Sequence, residues 1–218
     1  MKDKVKLIFE VSAGNAEKAL NQDCDILGIK IKNKEEADIL KKLLPCVEKP
    51  LMVRGSGDDN IDKELVPYII SLLDRECIIG IVNENNHKEI VPSAIKGGHT
   101  VIIRTPIDIN LAKEMNILTG EMGLEKILID TDIGGIGYGF EYGYSIMEKI
   151  KLESSKDKFL NYPIISFAAE ETSKTKEAKD INMAKYLELA AVAGVIAAGA
   201  DYVVINNPEV VKTMRKML

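Results

Sequence analysis

Two acids and a run of glycines are the part of this sequence best suited to chemistry. Asp130 and Asp132 stand where the apolar run KILID ends. Four glycines follow within six residues: Gly134, Gly135, Gly137 and Gly139. Glycine gives up side-chain packing so that the backbone can turn sharply or approach another group closely. A tight turn normally needs fewer glycines, so we interpret IDTDIGGIGYG as a binding loop. Its N–H groups would face a polar or anionic ligand, or the edge of a macrocycle.

The two acids also have structural interpretations. Aspartate often caps helices and accepts hydrogen bonds from loop N–H groups. For Asp132 this structural role is an alternative to ligand binding. A carboxylate at the end of a buried strand is costly to desolvate without a partner, so Asp130 requires a cation or a ligand. Arg104 ends the preceding apolar run and is the candidate partner. That pair would be structural rather than catalytic.

Side chains around the glycines extend the candidate site. Tyr138, Tyr142 and Tyr144 fall near the start of the next predicted helix. They could pack its first turn, or they could contact a flat amphipathic macrocycle with their rigid rings. Asn83 follows an earlier apolar run, and its carboxamide could hydrogen-bond a ligand that presents donors and acceptors side by side.

Eight short apolar or β-branched runs, each followed by a helical pattern, divide the chain. They are KLIFEV (6–11), ILGIKI (26–31), PLMVRG (50–55), CIIGIV (77–82), TVIIRT (100–105), KILID (126–130), PIISFA (163–168) and YVVIN (202–206). Nearly all-apolar strands that alternate with helices indicate a parallel sheet covered on both faces. Eight such units predict an α/β fold, a single (β/α)8 TIM barrel domain over residues 1–218.

The alternative fold is an open doubly wound sheet that binds a dinucleotide. Its fingerprint would follow the first strand, where the sequence reads SAGNAEKAL rather than G-x-G-x-x-G. In a barrel, by contrast, the carboxyl ends of the strands form the functional mouth. Polar residues follow the predicted strands throughout, among them Ser12, Lys30, Arg54, Asp58, Asn83, Arg104, Asp130, Glu170 and Asn206.

Composition narrows the class of protein. A formal net charge of -5 without clustered Lys and Arg argues against nucleic acid as a partner. A membrane span needs about 20 apolar residues, and the longest apolar run, 187–200, contains Glu188, so we expect no membrane segment. Three widely spaced cysteines, Cys24, Cys46 and Cys77, predict reduced, mostly buried thiols in a cytoplasmic protein, and no iron–sulfur cluster.

The two histidines carry no metal signature. His87 opens a predicted helix and His99 follows two glycines, and neither has a Cys, His or Asp at ligand spacing. We therefore expect surface positions for both. No metal ligand and no catalytic residue is predicted in this chain.

Three segments carry a family resemblance: RTPIDIN (104–110), ILIDTDIGGIGYGFEYGYSIMEKIKL (127–152) and AAGADYVVINNPEVV (197–211). They resemble the small subunit of the corrinoid iron–sulfur protein and its archaeal delta-subunit relatives in the CO dehydrogenase/acetyl-CoA synthase complex. Fainter similarity includes MVRGSGD (52–58) and NENN (83–86), so the likeness covers nearly the whole chain.

The resemblance implies a role in methyl transfer. In that family the small subunit is a barrel without its own cluster, and the large subunit carries a [4Fe–4S] domain, a barrel and a cobalamin domain. The barrel shields and positions the partner's corrinoid (cobalamin) while methyl passes from a methyltetrahydropterin to cobalt(I) and on to acetyl-CoA synthase. Transferred by motif or position, the cofactor-contacting residues would be Asn83, Arg104, Asp108, Asn110, Asp130, Asp132, Gly134, Gly135, Gly137, Tyr138 and Gly139.

The implied partners are the large subunit and, beyond it, a methyltransferase and acetyl-CoA synthase. Family small subunits carry an extension before the first barrel strand, whereas this sequence begins almost at KLIFEV. We therefore expect a shortened form that pairs weakly, pairs with another corrinoid protein, or forms a homodimer.

Two other functions stay open at the level of sequence. A stand-alone methyltetrahydrofolate-binding methyltransferase would use Asn83 and Asp130, although Arg54 stands where a pterin site would want an acid. A barrel enzyme for a phosphorylated metabolite would need glycine-rich turns after strands seven and eight, where the sequence reads FAAEETS and NNPEV.

Overall fold

The eight apolar runs form eight parallel strands that close into a barrel in chain order, with the last strand paired to the first. The structure, a computed structural model, describes residues 5–105 and 107–218, so Pro106 of the RTPIDIN segment lies outside the described residues. The strands are β1 Lys6–Ser12, β2 Ile26–Lys30, β3 Leu51–Arg54, β4 Ile78–Val82, β5 Thr100–Arg104, β6 Ile127–Asp130, β7 Ile164–Ser166 and β8 Tyr202–Ile205. The predicted (β/α)8 barrel is confirmed.

Helices cover the outside of the strand ring. They are α1 Ala16–Ala19, α2 Lys34–Leu43, α3 Asp59–Leu72, α4 His87–Lys96, α5 Ile109–Glu121, α6 Phe140–Glu153, α7 Ala168–Ser173, α8 Ile181–Ala198 and α9 Pro208–Met217. Asp58, Asp108 and Asp180 cap α3, α5 and α8, and each side chain accepts from two backbone N–H groups. These caps fix where the loops at the mouth end.

Two apolar clusters hold the barrel together. The inner one fills the ring with one side chain from each of seven strands and with Phe167, which follows β7; the strand residues are Ile8, Ile26, Met52, Ile102, Leu128, Ile165 and Val204. The larger one lies between the ring and the helices, and it includes Met147 and Ile150 of α6. The barrel interior is therefore packed with apolar side chains.

Helix α8 combines length with an apolar composition. By these two measures alone it could cross a membrane, and 28% of it is buried in the structure. It packs on α6, α7 and α9 and beside β8, as a helix of the barrel's outer layer. A core helix passes the same test, so the absence of a membrane segment stays a prediction.

The histidines occupy different positions from those expected. His87 is 6% exposed and His99 is 4% exposed, so the predicted surface positions are wrong. The Nδ1 atom of His99 accepts from the Cys77 N–H group at 3.1 Å, and burial lowers the pKa of this imidazole. The Nδ1 atom of His87 lies 2.9 Å from the carbonyl oxygen of Glu84. Both rings therefore have structural contacts, His87 at the start of α4 and His99 in the α4–β5 connection.

Candidate functional site at the barrel mouth

A buried ion-pair network lies on one side of the mouth. Arg54, at the end of β3, donates from Nε and Nη2 to the two carboxylate oxygens of Glu10 on β1, at 2.5 and 2.6 Å. Glu170 of α7 pairs with Nη2 of Arg54 at 3.1 Å and with Nζ of Lys30 at 3.2 Å. The side chains of Arg54 and Glu10 are only 4% and 3% exposed.

The network favours the charged forms of Arg54 and Glu170. Burial on its own would disfavour the guanidinium of Arg54, but the hydrogen bonds and charge of Glu10, with the charge of Glu170, raise its pKa. Burial would likewise raise the pKa of Glu170, but the positive charges of Arg54 and Lys30 outweigh it and hold that pKa at about 2. These groups are therefore matched to each other and are not free acids or bases at neutral pH.

A second pair lies across the mouth and confirms a sequence prediction. Nε of Arg104 donates to Oδ2 of Asp130 at 2.6 Å, and Asp130 is 1% exposed. The other carboxylate oxygen of Asp130 accepts from the backbone N–H group of Asp132 at 3.1 Å. The carboxylate of Asp132 lies 3.5 Å from the same Nε and is 45% exposed. Asp130 is thus satisfied within the chain, and Asp132 still faces outward.

Phe167 joins the two halves of the mouth. The guanidinium carbon atoms of Arg54 and Arg104 each lie 5.0 Å from the centroid of its ring, and Phe167 is 2% exposed. A guanidinium over an aromatic ring is attracted by the negative face of the ring. The ring and its two cations fill the centre of the mouth, where a barrel enzyme would hold its substrate.

Sequence reasoning missed Glu10 and Phe167 as members of the site. For Glu10 a signal existed, because it lies in an otherwise apolar run and shares its period-2 face with Ile8, which points into the ring. A carboxylate at that position needs a buried cation, and Arg54 is the partner. For Phe167 the sequence gives no such signal, since an aromatic residue at a strand end is ordinary core composition.

The glycines of the β6–α6 connection each have a structural role. Gly137 and Gly139 have φ angles of 78° and 96°, which side-chain-bearing residues rarely adopt. A Cβ atom on Gly134 would lie 2.5 Å from the carbonyl oxygen of Tyr138, and one on Gly135 would lie 2.9 Å from that of Glu171. Folding of the loop therefore explains all four glycines, and their contact with a ligand stays a prediction.

Two of the three tyrosines face solvent. Tyr138 is 50% exposed and Tyr142 is 62% exposed, whereas Tyr144 packs against the main core. The hydroxyl group of Tyr138 donates to Glu177 at 3.2 Å. Packing of the first turn of α6 therefore accounts for Tyr144 only, and the other two rings form an aromatic rim beside the glycine loop.

The remaining predicted site residues serve the loops of the mouth. The amide nitrogen of Asn83 donates to Asp59 at 2.8 Å, and its amide oxygen accepts from the Asn85 N–H group at 2.9 Å. Asp108 caps α5 by accepting from the Asn110 N–H group at 2.7 Å. Asp108 and Asn110 are exposed on the same face of the barrel but do not join the ion pairs. No group of three or more potential metal-ligating side chains occurs among the described residues.

Similarity to solved structures defines the class of fold. The chain superimposes on dihydropteroate synthase from Thermus thermophilus in complex with 4-aminobenzoate, with a TM-score of 0.72 and 12% identity, over 99% of this chain and 93% of that chain. The enzyme from Xanthomonas albilineans with 4-aminobenzoic acid gives a TM-score of 0.75 at 11% identity, over 99% and 92%. At these identities the likeness concerns the fold: this is a (β/α)8 barrel of the type seen in dihydropteroate synthases.

Sequence comparison gives the family. The family model for CdhD, the CO dehydrogenase/acetyl-CoA synthase delta subunit, matches residues 2–214, and the chain belongs to this family. The acetyl-CoA decarbonylase/synthase complex subunit delta of Methanopyrus kandleri is 31% identical over 137 residues, 61% of this chain and 34% of that protein. The subunit delta of Methanosarcina mazei is 26% identical over 203 residues, 84% of this chain and 47% of that protein. The chain thus spans less than half of the length of these relatives.

Proposed function

We propose that this chain is a barrel subunit that shields and positions a corrinoid held by a partner subunit during methyl transfer from a methyltetrahydropterin to acetyl-CoA synthase. The partner would be the large subunit of a corrinoid iron–sulfur protein. The chain would act as a single cytoplasmic barrel domain and would touch the corrinoid at the interface. Membership of the delta-subunit family supports this assignment.

The occupied centre of the mouth is the observation that carries the proposal, with one cavity of about 310 Å³ beside Arg54 and another of about 300 Å³ beside Arg104. Phe167, Arg54 and Arg104 occupy the centre, and every charge there has a partner within the chain. A barrel with this mouth offers a broad surface with a cavity on either side of its centre, instead of one deep central substrate site. A large flat cofactor that another subunit carries is a ligand that such a surface can cover.

The rim residues fit a corrinoid edge. Tyr138 and Tyr142 present exposed aromatic faces, and Asp132 and Arg104 present an acceptor and donors at the mouth. The corrinoid would supply the cobalt that accepts methyl. The part of this chain would be to exclude water from that face and to fix the orientation of the ring by contact with these side chains.

The stand-alone pterin methyltransferase receives less support. Its two sequence candidates, Asn83 and Asp130, already make hydrogen bonds within the chain. A pterin ring at the centre would also have to displace the ring of Phe167 from between two arginines. Fold likeness to dihydropteroate synthases remains its main argument.

A matched pair of glycine variants tests the corrinoid proposal. Gly137 at the mouth and Gly98 at the opposite end of the barrel have φ angles of 78° and 67°, and a Cβ atom on either would meet no neighbour within 4 Å. Gly137→Trp and Gly98→Trp therefore impose similar backbone strain at opposite ends. The wild-type chain is mixed anaerobically with the corrinoid-loaded large subunit, and complex formation is followed by size-exclusion chromatography.

The second readout is the oxidation rate of cobalt(I), followed by visible absorbance. We expect the wild-type chain and Gly98→Trp to bind the large subunit and slow the oxidation. Gly137→Trp should lose most of this protection. Absence of complex formation by the wild-type chain, or equal protection by both variants, would contradict the proposal.

A further inference from the structure

A cavity of about 300 Å³ lies beside the closed mouth, between the β4–α4 connection and α5. It is separate from the network around Arg54, and it shares Arg104, Asp132, Asn83 and Asn85 with the mouth described above. Its volume is at the lower end of the range found for small-molecule sites. The proposed contact with a corrinoid does not require it.

One wall of the cavity is apolar. Leu111, Met115 and Leu118 line it from α5, at the spacing that places side chains along one face of a helix. Leu111 and Leu118 remain 36% and 38% exposed, although they are aliphatic. A ligand that covered this wall would gain hydrophobic contact along a length of roughly two helical turns.

Acidic side chains complete the lining. Glu84 and Asp132 come from the β4–α4 and β6–α6 connections, whereas Glu114 comes from α5 itself, and the charge of Arg104 is already balanced by Asp130. Burial raises the pKa of Asp132, and the carboxylates of Asp130 and Glu171 raise it further, against the lowering by Arg104. Three carboxylates around one small cavity repel each other, and a positive charge among them would relieve that repulsion.

A buried hydroxyl group gives a second, independent observation. Thr105 lines the same cavity and is 3% exposed. Its Oγ1 atom is buried and has no hydrogen-bond partner among the described residues. A buried hydroxyl group without a partner is unfavourable, and a ligand N–H group would satisfy it.

We propose that this cavity binds a primary ammonium group carried on a short hydrocarbon chain. The hydrocarbon would lie on the α5 wall, and the ammonium would meet the carboxylates of Glu84, Glu114 and Asp132. The same chemistry belongs to a free alkylamine and to the lysine side chain of a protein partner. An ammonium group has three donors and no acceptor, which matches a wall rich in acceptors.

Titration of the folded chain with n-pentylammonium chloride, followed by nuclear magnetic resonance of the amide groups, tests the proposal. We expect saturable shifts at the lining residues with a dissociation constant on the order of 1 mM, the range open to so small a ligand. Pentanoate and pentanamide carry the same chain with a negative and a neutral head group. Neither should bind as tightly as pentylammonium.

Two glutamates of α5 provide a matched pair of variants. Glu114 lines the cavity, whereas Glu121 lies exposed on the same helix and does not. Glu114→Gln should weaken pentylammonium binding about threefold and Glu121→Gln should leave it unchanged, although both remove one negative charge. Asp132→Asn also removes a carboxylate and should also weaken pentylammonium binding. Asparagine tolerates the φ angle of 53° found at this position, so the backbone should keep its conformation.

A second probe separates the two sources of the ammonium group. Nα-acetyl-lysine N-methylamide carries the same head group on a peptide backbone. If this probe binds as tightly as pentylammonium, a lysine side chain of a partner protein is the source of the ammonium group. If it binds more weakly, a free amine is the source. Failure of pentylammonium to bind, equal binding of pentanoate or pentanamide, or equal effects of the two glutamine variants would overturn the proposal.

Discussion

The central residue of the mouth is Phe167, because its ring contacts two cations that pair with different acids. Arg54 is held by Glu10, and Arg104 is held by Asp130. Each guanidinium lies 5.0 Å from the ring centroid. Two like charges that contact the same ring are stabilised because each has its own carboxylate and because each is attracted by the ring.

Truncation of Phe167 should therefore be strongly destabilising. Phe167→Ala leaves a cavity and exposes both guanidinium groups to each other, so we expect a loss of about 3–5 kcal/mol in the free energy of unfolding. Phe167→Leu keeps most of the volume and removes the aromatic face, so its loss should be about 1–2 kcal/mol. Urea denaturation followed by circular dichroism measures both. Equal stabilities of the two variants would show that the ring is not needed to fill the mouth.

Glu170 makes part of the stability depend on pH. The charges of Arg54 and Lys30 hold its pKa at about 2, against 4.5 without the fold. A carboxyl group whose pKa is lower in the folded than in the unfolded chain stabilises the fold at pH values above its unfolded pKa. This contribution is lost as the pH falls from about 5 to about 2. Wild type should exceed Glu170→Gln in stability at pH 7 by about 2–3 kcal/mol, and the difference should shrink across that window.

Denaturation curves at a series of pH values provide the measurement for Glu170. Glu64→Gln, which changes an exposed glutamate of α3, controls for the loss of one charge. A stability difference between wild type and Glu170→Gln that stayed constant down to pH 2 would mean that the ion pairs with Arg54 and Lys30 contribute nothing.

The β6–α6 connection needs its glycines for two different reasons, which Gly134 and Gly137 illustrate. Gly134 has no room for a side chain, because its Cβ atom would lie 2.5 Å from a backbone oxygen atom. Gly137 has room, since no atom lies within 4 Å of a Cβ atom there, but its φ angle of 78° strains any other residue. One glycine is thus required by space and the other by conformation.

The two kinds of glycine should respond differently to alanine. Gly137→Ala should lower the free energy of unfolding by about 1 kcal/mol, the strain of a left-handed backbone with a side chain. Gly134→Ala should lower it by more, because the steric clash is with backbone and cannot be relieved by a rotamer change. Thermal unfolding of both variants provides the comparison. A larger effect at Gly137 would indicate a different course of the loop.

The sequence predicted the elements better than their contacts. Apolar runs of strand length, alternating with helical patterns, located all eight strands, because burial on both faces leaves an unbroken apolar signal. The pair of Arg104 and Asp130 was also predictable, since neighbouring parallel strands place their carboxyl ends side by side. These properties depend on local pattern and on chain order.

Contacts between distant strands were not predictable in the same way. Glu10 and Arg54 meet because β1 and β3 both point polar residues into the ring, which depends on the registers of two strand pairs. The burial of His99 depends on Cys77, which lies 22 residues away. The exposure of Tyr138 and Tyr142 depends on the course of the glycine loop. Residue types and their spacing in the sequence do not specify such contacts or exposures.

At the scale of the whole molecule, the ring closes where β8 pairs with β1. Every strand therefore has a hydrogen-bonded neighbour on both sides, and the sheet has no free edge. Loss of any one strand would create two edges and open the inner cluster to water. We therefore expect the described barrel to unfold as one cooperative unit.

The three cysteines can report on this cooperativity. Cys24 and Cys77 are buried and Cys46 is exposed. Burial raises the pKa of the Cys24 thiol, and it raises that of the Cys77 thiol to about 12. Only a thiolate reacts rapidly with a disulfide reagent, so the folded chain should present one reactive thiol, that of Cys46.

Urea should expose the two buried thiols together. Cys24 precedes β2 and Cys77 precedes β4, with β3 between them in the ring. If the ring opens as a unit, labelling of both cysteines in Cys46→Ser should rise at the urea concentration at which circular dichroism is lost. Mass spectrometry of the labelled peptides assigns each thiol. A closed ring that opens as a unit does not allow one strand pair to separate alone. Labelling of Cys24 at a lower urea concentration than Cys77 would mean that β1 and β2 separate first, and it would contradict cooperative unfolding.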